Sequence, residues 1–162
     1  MEGFRFLVPS HRSEGMTESF QEYRSYLDSV KDRLPPGLFD VFSSYWYYNA
    51  ANHRCPHDSW LISVSVAETD DRRRDMVVEV LAAYHEFRIR YSYAGVSSYA
   101  ISSEFGPRHE WDRDELQITD DGIKHVIRWA TDEYWKIECA RMSVDFIPVE
   151  PGPEGSPSVL LP

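Results

Sequence analysis

The side chains best suited to chemistry lie in residues 53–58, which read His-Arg-Cys-Pro-His-Asp. Imidazole and thiolate groups are common zinc ligands, and a closed site needs about four of them, usually in Cys-x2–4-Cys or His-x3–5-His pairs. Here the spacing is His-x-Cys-x-His, a proline interrupts it, and the fourth ligand is unassigned. We therefore predict no metal site, and a hydrogen-bonded loop at the entry to a strand is the simpler interpretation. The alternative is a small metal-binding protein or hydrolase that uses His53, Cys55, His57 and Asp58.

A nucleophile in the same stretch would combine Cys55 or Ser59 with His57 and Asp58. Adjacent residues seldom aim at one reacting atom, because catalytic triads assemble from distant positions in a chain. The second cysteine, Cys139, lies in a predicted strand, where a free thiol is typically a small buried apolar group. We therefore predict no catalytic residue, no cofactor and no enzymatic activity.

The densest acid cluster lies in residues 104–121, where seven acids stand against two arginines, a local balance of −5. Aromatic rings are interleaved with these acids, and rings that anchor beside charges that steer are typical of a surface that binds a basic protein. The simpler alternative is a solvated loop and strand face. The residues predicted to contact a partner are Tyr99, Glu104, Phe105, Glu110, Trp111, Asp112, Asp114 and Glu115.

Two further expectations concern single residues in this half of the chain. Reversing the charges of Asp112 and Asp114 is expected to weaken partner binding with little effect on folding, since exposed substitutions usually change stability by less than about 0.5 kcal/mol. His125 shares its predicted strand face with Ile123 and Ile127, so we expect a hydrogen-bonded core histidine rather than a proton shuttle.

The composition limits the kind of partner and the location. The net charge of −10 repels nucleic acid phosphates and anionic lipids and attracts cationic proteins, so we predict a basic protein partner, no nucleic acid and no membrane. Only two cysteines are present, and neither a signal-peptide pattern nor an apolar run of about 20 residues is found. These features favour a soluble, cytoplasmic protein. They do not define its oligomeric state.

Apolar periodicity predicts the elements that position these residues. Helical spacing predicts a first helix through Phe20, Tyr23, Leu27, Val30 and Leu34, which begins at Thr17 or Ser19. The aromatic residues 38–48 predict a second, short helix packed on a sheet. Period-two alternation then predicts strands from Trp60 to Pro148, including a hairpin around Asp121-Gly122 and a last strand whose phase switches near Ala140-Arg141.

These elements predict an α+β fold, in which an antiparallel β-meander of about six strands carries two N-terminal helices on one face. A chain of 162 residues fits one domain. We place that domain at residues 1–147, with an extended arm over residues 1–16, and expect a proline-rich tail over residues 148–162.

Several short motifs carry a resemblance to a known group of proteins: His57-Asp58-Ser59, Tyr93-Ala94-Gly95-Val96, Asp114-Glu115-Leu116, His125-Val126-Ile127 and Ile137-Glu138. Over residues 57–148 the chain resembles a loose group of small bacterial α+β proteins, some of which resemble immunity proteins of polymorphic toxin systems. The resemblance implies an antiparallel sheet with helices on one side and no established active site. It also implies a protein that binds and neutralises a cognate, basic toxin, and it assigns no functional residue.

Overall fold

The computed structural model describes residues 3–7, 14–69, 71–101 and 110–150, and for residues 14–17 only the backbone. The helices are α1 (Glu14–Ser29) and α2 (Pro36–Phe42), and short 3-10 turns follow them at Lys31–Arg33 and Tyr45–Tyr48. The strands are β1 (Trp60–Glu68), β2 (Arg74–Leu81), β3 (Phe87–Ala100), β4 (Trp111–Ile118), β5 (Ile123–Trp129) and β6 (Tyr134–Pro148).

The six strands form one antiparallel sheet in the order β1-β2-β3-β6-β5-β4. The sheet therefore consists of two three-stranded meanders, and the long pairing of β3 with β6 joins them. The α+β prediction is confirmed.

The sheet curls until its first and last strands meet. A β-bridge pairs Trp60 with Glu110, and the Trp111 N–H donates to the Ser59 carbonyl over 2.9 Å. The Asp58 N–H in turn donates to the Trp111 carbonyl over 2.8 Å. We call this contact between residues 58–60 and 110–112 the seam. It brings together two parts of the chain that are separated by about fifty residues of sequence.

The helices pack on the inner, concave face of the curled sheet. Phe42 of α2 lies edge-on to His125 of β5 with ring centroids 5.7 Å apart, and Trp46 contacts Phe146 of β6 at 5.4 Å. Fully buried aromatic and apolar side chains fill the space between the layers. The largest of them are Trp111, Trp129, Trp135, Tyr23, Tyr47, Tyr91, Tyr93 and Phe42.

Residues 3–7 of the N-terminal arm are held by one carboxylate. Glu115 of β4 accepts the backbone N–H groups of Arg5, Phe6 and Leu7, each over 2.9 Å. Phe6 also stacks on Tyr26 of α1, with centroids 4.6 Å apart. The arm predicted to lie on the domain is therefore fixed by hydrogen bonds to its main chain and by ring packing.

The edge of β4 is covered by α1. The N–H groups of Leu116 and Ile118 donate to the hydroxyls of Tyr23 and Tyr26, each over 2.7 Å. A covered edge offers no free N–H groups to a further strand.

Several details differ from the sequence prediction. Helix α1 runs from Glu14 to Ser29, so it begins before the predicted start at Thr17 or Ser19 and ends before Val30 and Leu34. The helix predicted over residues 38–48 is α2 (Pro36–Phe42) followed by the 3-10 turn Tyr45–Tyr48. The burial phase of β6 switches at Ala140-Arg141 as predicted, but the accompanying register shift lies between Val96 and Ser98 on β3. None of the described helices is long and apolar enough to cross a membrane.

Candidate functional site

The seam brings the two chemically suggestive stretches of the sequence into contact. The Nδ1–H of His57 donates to the Asp112 carbonyl over 2.7 Å, and its Nε2 lies 3.5 Å from a carboxylate oxygen of Asp58. The imidazole is thus held between the loop of residues 53–58 and the start of β4. The sequence predicted each stretch separately and did not predict that they meet.

A small cavity of about 150 Å³ lies beside His57. Typical small-molecule sites measure roughly 300–1,000 Å³, so this cavity is too small to enclose a drug-sized ligand. Its lining residues are Tyr47, Tyr48, Ala50, Cys55, Pro56, His57, Asp112, Arg113 and Asp114.

The inner wall of the cavity contains a buried carboxylate with three donors. Asp114 accepts the Tyr47 hydroxyl at 2.6 Å, the Trp111 Nε1–H at 3.2 Å and the His125 Nε2–H at 2.9 Å. All four residues are fully buried. A buried charge is tolerated when hydrogen bonds satisfy its lone pairs, and this arrangement meets that condition.

The network continues from Asp114 through two more tyrosines. Because His125 Nε2 donates to the carboxylate, a neutral imidazole accepts the Tyr93 hydroxyl at Nδ1 over 2.7 Å. Because Tyr47 donates to Asp114, the Tyr91 hydroxyl donates to the Tyr47 oxygen over 2.8 Å. Each polar group of the network has a partner, and the prediction that His125 is a hydrogen-bonded core residue is confirmed.

Burial keeps the tyrosines of this network and the neighbouring Cys55 thiol protonated. Desolvation, reinforced by the Asp114 charge, raises the pKa of Tyr47, Tyr91 and Tyr93 well above the ordinary value of a tyrosine. Desolvation likewise raises the pKa of the Cys55 thiol to about 11. These groups are poor nucleophiles and poor general bases at neutral pH, since both roles need a deprotonated group.

The ligand-like residues 53–58 do not converge on one point. His53 stacks on Tyr84 with ring centroids 4.0 Å apart, and its Nδ1 lies 2.8 Å from Glu86. Cys55 is buried beside the cavity, whereas His57 faces the seam. In the described part of the chain, no three His, Cys, Asp or Glu side chains are placed to hold a metal ion.

The structure separates the eight residues predicted to contact a partner. Trp111, Asp114 and Glu115 are fully buried, so the prediction that they lie on a solvated surface is wrong. Asp114 and Trp111 face the core, where apolar packing and the His125 network hold them, and Glu115 is covered by the N-terminal arm.

The other five predicted residues fall into three groups. Glu110 is half-buried at the seam, and Asp112, whose side chain is 14% exposed, pairs there with Arg113 and Arg128. Tyr99 is 39% exposed on β3, which β6 and β5 separate from β4. Glu104 and Phe105 lie outside the described residues.

The burial of Asp114 also overturns the expected outcome of charge reversal. Replacing Asp112 and Asp114 together would place a cation against the buried His125, Tyr47 and Trp111, so the fold itself would be lost. Asp112 alone is partly exposed, but it holds Arg113 and Arg128 at the seam.

A tryptophan that the sequence prediction passed over lies at the seam. Trp60 begins β1, is 45% exposed and lies against the His85 ring with centroids 5.0 Å apart. Its bridge partner is Glu110, and paired residues of antiparallel strands point to the same face. The sequence did contain a signal for this residue: Trp60 is a large ring at the first position of an edge strand, and it follows Asp58 by two positions.

We call the acidic side chains of the seam, together with Asp132, which shares Arg128 with Asp112, the rim: Asp58, Glu110, Asp112 and Asp132. Asp58 is 61% exposed, and Asp132 is exposed and pairs with Arg128. The four carboxylates stand against the guanidinium groups of Arg113 and Arg128, a local balance of −2.

Comparison of the sequence with known protein families finds no matching family model, and comparison with curated proteins finds no match.

Proposed function

We propose that the protein is a bacterial, cytoplasmic immunity-type protein, which binds a cognate basic toxin and neutralises it. The observation that carries this proposal is the half-exposed Trp60 ring at the seam, where its bridge partner Glu110 and the nearby Asp58 and Asp112 supply carboxylates. The proposal keeps the acidic, aromatic surface expected from residues 99–115 of the sequence and moves its centre to the seam.

The rim has the two features that tight protein recognition uses. Trp60 supplies an exposed aromatic surface, and tryptophan is enriched among residues whose truncation costs at least about 2 kcal/mol of binding free energy. The carboxylates of the rim, together with the net charge of −10, attract a basic partner and speed its association. Binding of this kind weakens as salt is added.

The hydrolase or metal-binding alternative has less support from the geometry. His53, Cys55 and His57 make contacts in different directions, and the raised pKa of Cys55 keeps its thiol protonated. The Asp114–His125 pair lies in the core with each of its polar atoms already hydrogen-bonded.

The test uses the purified protein and the product of the neighbouring gene. We expect the two to comigrate and the protein to suppress the toxicity of that product. Trp60→Ala should weaken binding at least about thirtyfold, which corresponds to about 2 kcal/mol. If the two proteins did not comigrate and the protein did not suppress the toxicity, the proposal would be overturned.

A matched control separates the rim from any other exposed ring. Tyr45 is 65% exposed and packs on Phe20 of α1, away from the seam, so Tyr45→Ala should change affinity less than twofold. Equal losses in Trp60→Ala and Tyr45→Ala would place the interface elsewhere. The free energy of unfolding of each variant, measured alongside, shows that the fold is retained.

A further inference from the structure

We propose that a second cavity, which shares no lining residue with the rim, binds a phosphate group. It has a volume of about 440 Å³ and lies between the turn that joins β1 to β2 and the paired strands β3 and β6. Its lining residues are Arg72, Arg73, Ala94, Gly95, Val96, Ala140 and Arg141. Three guanidinium groups thus surround one concavity of a protein that is acidic overall.

The floor of this cavity consists of small residues. The pairing of β2 with β3 ends at Met76 and Tyr93, and beyond that point the Asp75 carboxylate accepts the Gly95 N–H over 3.0 Å. Gly95 has φ +64°, and a Cβ there would lie 3.1 Å from the Ala140 Cβ. Larger side chains at this crossing would fill the space, so the open floor depends on Gly95 and Ala140.

The wall that carries Arg72 and Arg73 is a braced turn. The Thr69 N–H donates to the Arg73 carbonyl over 2.7 Å, and the Thr69 hydroxyl donates to Asp71 over 2.6 Å. Asp71 also pairs with Arg73 Nε at 3.0 Å. These contacts fix the turn at the mouth of the cavity.

The arginines of this cavity have donors to spare. The side chains of Arg72 and Arg141 are exposed and make no hydrogen bond or ion pair with any described residue, and the side chain of Arg73 uses only its Nε on Asp71. By contrast, Arg88 and Arg90 of β3 share one buried carboxylate, that of Glu79, each at 3.0 Å.

The charge of the site fits a dianion. Three arginines against Asp71 and Asp75 leave a balance of +1, and the Asp75 carboxylate is occupied by the Gly95 N–H. Guanidinium groups bind phosphate oxygens through paired N–H donors, which gives both energy and orientation. The cavity is larger than one phosphate needs, so the expected ligand is a small phosphate monoester or inorganic phosphate. Nucleic acid polymers are disfavoured by the overall charge of −10.

The test is a titration of the full-length protein with inorganic phosphate, followed by backbone amide NMR shifts at constant ionic strength. We expect saturable shifts centred on Gly95 and Ala140. Arg72→Gln and Arg141→Gln should each weaken binding about tenfold, because each removes a charged hydrogen-bonding partner. A parallel titration with adenosine monophosphate distinguishes the sources: tighter binding than inorganic phosphate indicates an ester ligand, and equal binding indicates free phosphate.

The matched control is Arg24→Gln, which removes the same charge from an exposed position on α1. It should change the phosphate affinity less than twofold. Amide shifts that grow linearly with phosphate and never saturate would overturn the proposal. An equal loss of phosphate affinity in Arg24→Gln and Arg141→Gln would also overturn it, because the response would then depend on the overall charge and not on a site.

Discussion

The carboxylates of the seam and of β4 divide into two groups with opposite roles. Asp114 and Glu115 are fully buried, and each accepts several hydrogen bonds that hold the fold together. Asp58 and Asp132 are exposed and contribute charge to the rim. The comparison shows that an acidic stretch in a sequence is not by itself an acidic surface, since the direction in which each side chain points decides its role.

Strand geometry explains the division. Asp114 shares its side of β4 with Leu116 and therefore points into the core, whereas Glu115 points to the outer face under the N-terminal arm. A register shift between Trp111 and Arg113 interrupts this alternation and leaves Asp112 at the seam.

The largest effect is expected at Asp114. Asp114→Ala leaves the buried Tyr47, Trp111 and His125 donors without their acceptor, so the free energy of unfolding should fall by about 3–5 kcal/mol. Urea denaturation measures this change. The exposed Asp58→Asn, which removes the charge at a left-handed backbone position (φ +60°) that asparagine also adopts, should cost less than about 0.5 kcal/mol. Similar losses in the two variants would contradict the division into buried and rim carboxylates.

Alkaline titration tests the buried network around Asp114. Burial raises the pKa of Tyr47, Tyr91 and Tyr93, so their contribution to stability is present below about pH 10, the ordinary tyrosine pKa, and is lost as pH rises above it. We expect these three tyrosines to ionise only with cooperative unfolding. Phenolate absorbance and circular dichroism, recorded together on the wild type and on Tyr91→Phe, check this coupling. Ionisation of Tyr91 while the circular dichroism stays native would contradict it.

The reactivity of Cys55, which lines the cavity beside His57, reports whether this thiol is as buried as the structure shows. Desolvation raises its pKa from 9.0 to about 11, so at pH 8 its thiolate fraction is about a hundredfold lower than that of an unperturbed thiol. Alkylation by iodoacetamide in the native protein should be slower by at least that factor, and unfolding in urea should restore it. Fast native alkylation of Cys55, located by mass spectrometry, would revive the hydrolase alternative.

The smallest effect is expected at Glu115. Glu115→Gln keeps the shape but removes the charge that accepts the N–H groups of Arg5, Phe6 and Leu7, and we expect a loss of about 1–2 kcal/mol. Amide hydrogen exchange should accelerate at Phe6 and Leu7 before the rest of the sheet responds. Glu22→Gln on the exposed side of α1 is the control and should leave that exchange unchanged.

The periodic part of the fold was predictable, whereas the seam was not. The 3-4 spacing from Phe20 to Leu27 and the period-two alternation over residues 87–93 are local signals, and they predicted α1 and β3. The same spacing continues to Val30 and Leu34, which lie beyond the end of α1 at Ser29. The meeting of residues 58–60 with 110–112 depends on the curl of the whole sheet, which no local pattern encodes. The burial of Asp114 could have been predicted, because alternate residues of a strand point to the same face and Asp114 alternates with the apolar Leu116 and Ile118 on β4.

The way in which Glu115 holds the arm has a consequence for sequence change. The carboxylate recognises main-chain amides, so replacing the exposed side chain of Arg5 leaves all three hydrogen bonds possible. Proline is the exception, since it lacks the amide proton. At position 5, the attachment of this segment therefore tolerates a change of side chain and excludes only proline.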